Sequence, residues 1–245
     1  MLSSYAMTDV GRTRVVNQDY VFSCLEPVGN LPNLFIVADG MGGHQAGDFA
    51  SSYSVKKFLE SVSLSLQRNP HKIFADAVRY ANRELIEKSK SNPELKGMGT
   101  TLVALTIVDD KAYVANVGDS RLYLMEDSLM QITVDHSLVQ EMIKIGELTK
   151  EDARLHPDKN IITRAVGAGR DINADYFEFT ITKDSILLMC SDGLSNMVAD
   201  DQIAVLLKSA DAPEKVGKKL VETANRNGGK DNIAVIVINS KSGEV

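Results

Sequence analysis

The sequence predicts an α+β fold: a central antiparallel β-sandwich flanked on both faces by pairs of helices, in α-β-β-α layers. Between residues 101 and 134, apolar runs of strand length are separated by connections of two or three residues, whereas a parallel crossover needs a dozen or more. Two stretches with helical spacing precede those runs and two follow them. Further strand-like segments lie among the later helices, so the strands form two sheets that pack on each other and carry helices outside.

The elements follow in order. Leu34 to Ala38 (LFIVA) is a buried strand that stops at the turn signal Asp39-Gly40. Val55, Phe58, Leu59, Val62 and Leu66 then recur at helical spacing, and Pro70 opens a second helix carrying Phe74, Ala77, Ala81 and Leu85 on one face. TLVALTIV, AYVANV, RLYLM and LMQITV, separated by Asp109-Asp110, Gly118-Asp119 and Glu126-Asp127-Ser128, read as a β-meander. From His136 to Ala165 the pattern is mixed. Leu138, Val139, Met142 and Ile143 are helical, Thr149-x-x-Asp152 resembles a capping box, and His156-Pro157-Asp158 breaks the run, so about 136–165 is read as a surface flap. Strands at Tyr176 to Ile181, Ser185 to Cys190 and Ile233 to Ile238, with helices at Asp201 to Lys208 and Pro213 to Arg226, complete the list.

Composition narrows the function. The chain has 245 residues, 44% of them hydrophobic, enough for a full core and against disorder, fibres or collagen. No Pro/Gly/Ser linker divides it, so residues 1–245 are read as one domain. A net charge of −6 without a basic run argues against a nucleic-acid binder, whose affinity comes from clustered Lys and Arg. Cys24 and Cys190 lie in apolar surroundings without a C-x-x-C pair, as expected of buried thiols in a reducing compartment. Met1 to Val10 lacks the features of a signal peptide and no apolar run approaches the ~20 residues that span a bilayer, so a cytoplasmic protein with no membrane partner is expected.

Four aspartates sit where a strand ends or begins: Asp39, Asp119, Asp192 and Asp231. Taken singly, each is an ordinary turn residue. Asp39-Gly40 and Asp192-Gly193, however, lead into helix-forming sequence rather than a returning strand, which places a carboxylate on a rigid rim. Carboxylates gathered on such rims repel unless a cation holds them, and all-oxygen ligation suits Mg²⁺ or Mn²⁺. Zinc is disfavoured by four scattered histidines without H-x-x-x-H spacing. Gly40-Met41-Gly42-Gly43-His44 is neither a Walker loop nor G-x-G-x-x-G, since Gln45 stands where a glycine is required. Arg14, in a polar stretch of a region that otherwise reads as a strand, is either a solvated edge residue or, if it faces the acids, a fork that clamps phosphate bidentately.

Thr8-x-x-Gly11-x-x-Arg14-x-x-Asn17-Gln18-Asp19, Val37-Ala38-Asp39-Gly40-Met41-Gly42-Gly43-His44, Gly99-Thr100-Thr101, Asn116-Val117-Gly118-Asp119-Ser120-Arg121, Ser191-Asp192-Gly193 and Gly229-Lys230-Asp231-Asn232 occur in the order and approximate spacing of the PPM family. The chain thus resembles the metal-dependent serine/threonine protein phosphatases of type 2C, the bacterial branch more closely, across residues 8 to 238. The resemblance implies hydrolysis of phosphoserine and phosphothreonine monoesters by a water that two Mn²⁺ or Mg²⁺ ions activate, without a covalent intermediate. Asp39 matches the carboxylate bridging the two ions, the Gly40 carbonyl a ligand to the second, and Asp192 and Asp231 ligands to the first. Asp19 resembles the acid that holds a water beside the ions, Asp119 the residue that bacterial members use with Asp192 for a weaker third ion, and Arg14 the arginine that binds substrate phosphate. The implied partners are phosphoproteins, including a cognate Ser/Thr kinase, and the implied state is a monomer.

Two positions depart from the family pattern. Gln18 stands where members often carry Glu, removing a charge near the ions. Met41 stands where many eukaryotic members carry a histidine proposed as the general acid, leaving a water on the ions or His44 as candidates for that role.

Overall fold

The computed structural model describes residues 2–43, 46–209 and 212–240. Eleven strands are found among them: β1 (Ser3–Asp9), β2 (Asp19–Cys24), β3 (Leu34–Met41), β4 (Gly99–Thr100), β5 (Leu102–Val108), β6 (Lys111–Val117), β7 (Arg121–Met125), β8 (Leu129–Gln131), β9 (Asp175–Thr180), β10 (Ile186–Cys190) and β11 (Ile233–Asn239). The helices are α1 (Ala46–Leu64), α2 (Pro70–Ser91), α3 (Leu138–Lys144), α4 (Lys150–Leu155), α5 (Asp192–Ser195), α6 (Asp200–Leu207) and α7 (Pro213–Arg226).

One sheet runs β1-β11-β10-β7-β8 and the other β2-β3-β5-β6-β9, with β4 paired to β3. Every strand pairing is antiparallel. Side chains alternate across each strand, and here both faces are covered, which is why LFIVA is apolar throughout. Phe35 and Val37 point to the seam between the sheets, where Leu105, Leu122, Leu187, Met189 and Ile236 meet them. Leu34, Ile36 and Ala38 point the other way, onto Phe58 of α1 and Phe74 of α2. Leu188, Val235 and Val237 of the first sheet pack on Ile203 of α6 and Leu220 of α7. The order of layers is helices, sheet, sheet, helices, as the sequence predicts.

The meander is a correction. β5 and β6 do form a hairpin, with Asp109 in the left-handed region at φ 55°. But β6 pairs with β9, whereas β7 pairs with β10 and β8 in the opposite sheet. Gly118-Asp119-Ser120 therefore crosses between the layers instead of closing a hairpin. Three residues suffice because packed sheets lie only about 10 Å apart and an extended residue covers about 3.3 Å. Gly118 makes the crossing possible with φ 103°, and a Cβ there would lie 2.6 Å from Thr101 Cγ2.

Smaller differences concern the chain's edges. The N-terminal region that reads as strand supplies β1 and β2, but its polar stretch from Gly11 to Asn17 is a connecting loop. Leu66 lies beyond the end of α1 and is 95% exposed. Cys190 is buried, but Cys24 is only half-buried; both are free thiols. In the flap, Ser137 caps α3, and Thr149 caps α4 by accepting from the Asp152 N–H, so the capping signal is structural. Among the described residues no helix is long and apolar enough to cross a membrane.

Gly118→Ala is expected to destabilise the fold by roughly 1–3 kcal/mol, since it adds both a left-handed penalty and a contact with Thr101. Urea unfolding checks this; an unchanged midpoint contradicts the crossing.

Candidate metal centre

The site lies at one end of the seam, where strands of both sheets stop. Asp19 opens β2 and stands opposite Asp39 of β3 in the antiparallel register, so their side chains share a face. Asp192 follows β10, Asp231 precedes β11, and Asp119 sits in the crossing between the sheets. Arg14, Asp39, Gly40, Asp119, Asp192 and Asp231 line one cleft of about 260 Å³. Asp19 lies behind it, buried, with its Oδ2 accepting from Ser191 at 2.7 Å. The structure thus brings together every predicted site residue.

Local sequence fixes each acid. The Asp39 backbone N–H donates to Thr101 Oγ1 at 2.9 Å, and its carbonyl accepts from the Thr101 N–H at 2.8 Å and the Thr100 hydroxyl at 2.9 Å. Thr101 Oγ1 also contacts Ser120 Oγ across 2.7 Å, tying the Asp39 strand to the crossing that carries Asp119. Asn232 staples the Arg14 loop: its Nδ2 donates to the carbonyls of Val10 and Val16, and its Oδ1 accepts from the Gln18 N–H. Asn196 Nδ2 donates to Asp192 Oδ2 at 2.9 Å. Gly193 is required because a Cβ there would run into the Asn232 carbonyl oxygen, and Gly40 because a Cβ would strike the Gly47 carbonyl as α1 packs against the end of β3. The candidate ligands were legible as strand-end aspartates; these threonines, Ser191, Asn232 and Asn196 were not given roles, although Gly99-Thr100-Thr101, Ser191-Asp192-Gly193 and Lys230-Asp231-Asn232 marked all but Asn196.

Electrostatics show what the cluster lacks. Burial, then the charges of Asp19 and Asp192, hold the Asp39 carboxyl well above the usual carboxylate range. Burial raises Asp19 as well, against the Ser191 bond, and raises Asp192, with Asp231 adding to it. Asp119 is raised by burial and by Asp192. Among the described residues, no N–H or O–H donor reaches the buried oxygens Asp19 Oδ1 and Asp192 Oδ1. Arg14 is, among the described residues, the one cation in direct contact with the acids described above: its Nε and Nη2 reach Asp231 Oδ1 and Oδ2, each at 2.9 Å. That bond, foremost, raises the Arg14 pKa.

Acceptor-only oxygens without donors, compressed by mutual repulsion, fit hard divalent cations. Among the described residues no three His, Cys, Asp or Glu side chains close into a ready cage. An open, carboxylate-lined cleft of this kind suits Mg²⁺-like ions, which are held by one or two carboxylates and keep several waters, better than a closed all-protein site. Gln18 packs against Gly47 beside Gly40, where it brings no charge. Met41 lines the cleft, and no histidine does so among the described residues; His44 lies outside them.

A family model described as protein phosphatase 2C matches residues 11–235. The serine/threonine phosphatase stp of Listeria monocytogenes is 40% identical over 236 residues, covering 94% of this chain and 93% of that one. The S. agalactiae serine/threonine phosphatase superposes with a TM-score of 0.89 at 34% identity, covering 98% and 99% of the two chains. The catalytic domain of the serine/threonine protein phosphatase PstP, solved in complex with two manganese ions, superposes at 0.85 with 31% identity, over 97% of each chain.

The raised carboxyls carry a stability prediction. A group whose folded pKa exceeds its unfolded value binds more protons in the native state, so it costs nothing below about pH 4 and destabilises as the pH rises through the raised value. In chelator, Asp39→Asn is therefore expected to raise the melting temperature at pH 8, by about 3 °C for each kcal/mol of repulsion relieved, with the gain vanishing toward pH 4. Calorimetry across that range checks it, and a variant less stable than the parent at pH 8 refutes it.

Proposed function

The chain belongs to the protein phosphatase 2C family, and from that membership we propose which of its residues carry the hydrolysis of phosphoserine and phosphothreonine esters. It is a metal-dependent serine/threonine protein phosphatase, its cofactors are two Mn²⁺ or Mg²⁺ ions, and its substrates are phosphoproteins. The observation that supports the residue assignment is the gathering of Asp39, Asp119, Asp192 and Asp231 with Arg14 in one cleft, beside buried oxygens without donors.

In this reading Asp39, Asp192 and Asp231 would hold one ion, and Asp39 with the Gly40 carbonyl would hold the other. Asp119 with Asp192 offers a weaker third site. The ions, when bound, supply Lewis-acid charge to the phosphoryl oxygens and make a water acidic enough to attack phosphorus at neutral pH. The protein's own part is positioning. The Thr100, Thr101 and Ser120 bonds fix Asp39, and Ser191 fixes one oxygen of Asp19 so that the other is left to orient a water. The Arg14 fork, which grips both oxygens of Asp231, has the geometry to grip two oxygens of a phosphate. Met41 has no proton to give, so water beside the ions or His44, which lies outside the described residues, is left to protonate the leaving oxygen. Cys190 takes no part: it is fully buried, and burial pushes its thiol up to about 12, where no thiolate forms at neutral pH.

We read residues 1–245 as a single catalytic domain acting as a monomer in the cytoplasm, where the unpaired Cys24 and Cys190 remain reduced, and reversing the action of a Ser/Thr kinase.

Asp39→Ala and Asp192→Ala are each expected to lower Mn²⁺-dependent p-nitrophenyl phosphate hydrolysis by about a thousandfold or more, the scale of losing a group that stabilises transition-state charge. Arg14→Ala is expected to raise KM roughly 10–100-fold with a smaller change in kcat, the equivalent of one bidentate charged hydrogen-bond pair. Steady-state kinetics with metal and with chelator check both, and near-normal activity of the Asp192 variant removes the mechanism.

A further inference from the structure

A second cavity of about 260 Å³ runs from the metal cleft under the flap, and Asp119 and Asp192 line both. Its roof is the flap, with Lys150 and Arg154 of α4 and Lys159 after it; its floor includes Arg121, Asp135 and Asp200. The roof is held in place. The flap closes at its base by a bridge between Ser137 and Ile162 and by the Leu138 N–H to the Ile161 carbonyl, and Arg154 Nη2 donates to the Ser195 carbonyl on the far side at 3.3 Å. The space is therefore part of the fold.

Most charges in it are already matched. Arg121 Nε and Nη2 bind the carboxylate of Asp135, at 2.7 to 3.1 Å, and Nη1 donates to Tyr123 Oη. Arg154 stands 3.9 Å from Asp200. Asp119 and Asp192 belong to the metal centre. What remains is Lys150 and Lys159, neither of which makes a side-chain hydrogen bond or ion pair among the described residues. Lys159 is close enough to Asp192 for their charges to interact, which sets it beside the reacting end of the cavity. Two uncommitted ammonium groups facing a polar cavity that opens onto a phosphate site describe a receptor for a second anion on the same substrate.

We propose that the cavity under the flap is a specificity pocket in which Lys150 and Lys159 receive an acidic side chain, carboxylate or phosphate, lying within a few residues of the phosphoserine or phosphothreonine to be hydrolysed. This rests on the phosphatase reading of the adjoining cleft. It makes the enzyme select phosphorylated segments that are acidic or multiply phosphorylated on one side of the reacting residue.

The test is a set of phosphothreonine peptides with alanine flanks, in which glutamate or phosphoserine is placed singly at each of the three positions on either side. The readout is the ratio of kcat/KM for each acidic peptide to that of the all-alanine parent. For the wild type the ratio is expected to reach about fivefold with glutamate at one or two adjacent positions on one side, as two partly exposed ion pairs would give. It should be higher with phosphoserine, which carries nearly two charges, and should fall with added salt. Lys159→Ala should lower the ratio, Lys150→Gln should lower it, and Lys150→Glu should invert it at the same position, a sign change that a merely structural role would not produce. A ratio within twofold of one at all six positions in the wild type, or a preference unchanged in the Lys150 and Lys159 variants, overturns the pocket. Elevation with phosphoserine alone identifies a phosphate receptor, and elevation with both a general anion receptor; either supports the proposal. Failure to hydrolyse both the parent peptide and p-nitrophenyl phosphate with Mn²⁺ would overturn the phosphatase reading beneath it.

Discussion

Asp19 is buried and Asp39 and Asp192 are half-buried, all within reach of one another's charge, with Asp119 and Asp231 close by, and the rest of the molecule is arranged to keep them there. Two like charges 4 Å apart repel by about 4 kcal/mol at the effective dielectric found near protein surfaces, against a total folding stability of roughly 5–15 kcal/mol for a whole domain. A few such pairs are therefore enough to threaten the fold. Burial and mutual repulsion push these carboxyls toward their protonated forms, and a divalent cation would relieve the same repulsion.

Only a rigid frame can hold mutually repelling groups at short range, and the seam of the sandwich is such a frame. Asp19 and Asp39 come from one sheet, Asp192 and Asp231 from the ends of strands in the other, and Asp119 from the link between them. Apolar packing of Phe35, Val37, Leu122, Met189 and Ile236 fixes the distance between the sheets. Neutral hydrogen bonds then fix the acids: Thr100, Thr101 and Ser191 offer hydroxyls, and Asn232 ties the loop of Arg14 to the strand-end that carries Asp231. None of these adds charge, so the deficit of positive charge remains, met within the cleft only where Arg14 binds Asp231.

The four layers were legible because LFIVA and the later apolar runs are buried on both faces, which leaves long unbroken apolar words, and because Phe58 and Phe74 recur on helical periods. The candidate site was legible because aspartate followed by glycine at a strand end, with no returning strand, is a poor hairpin and places a carboxylate on a rigid rim. The crossing at Gly118-Asp119-Ser120 was not: three residues between two strands read the same whether they return within a sheet or pass to the next, and only the pairing of β6 with β9 and of β7 with β10 separates the two. The edge strand β1 was legible only as an unbounded strand-like region, because its polar and apolar residues mix and all but Ser3 are half-buried. The pocket under the flap was equally hidden, because it depends on which lysines are left over once Arg121 and Arg154 have found Asp135 and Asp200, and that is a property of contacts rather than of spacing.

Anomalous scattering from a crystal grown with Mn²⁺ examines the convergence of the acids most directly, because it places each ion without reference to activity. Two strong peaks in contact with the Asp39 carboxylate, one of them shared with Asp192 and Asp231 and the other with the Gly40 carbonyl, are the predicted result. Manganese bound at scattered surface sites, with the Asp39 carboxylate touching none, would contradict it.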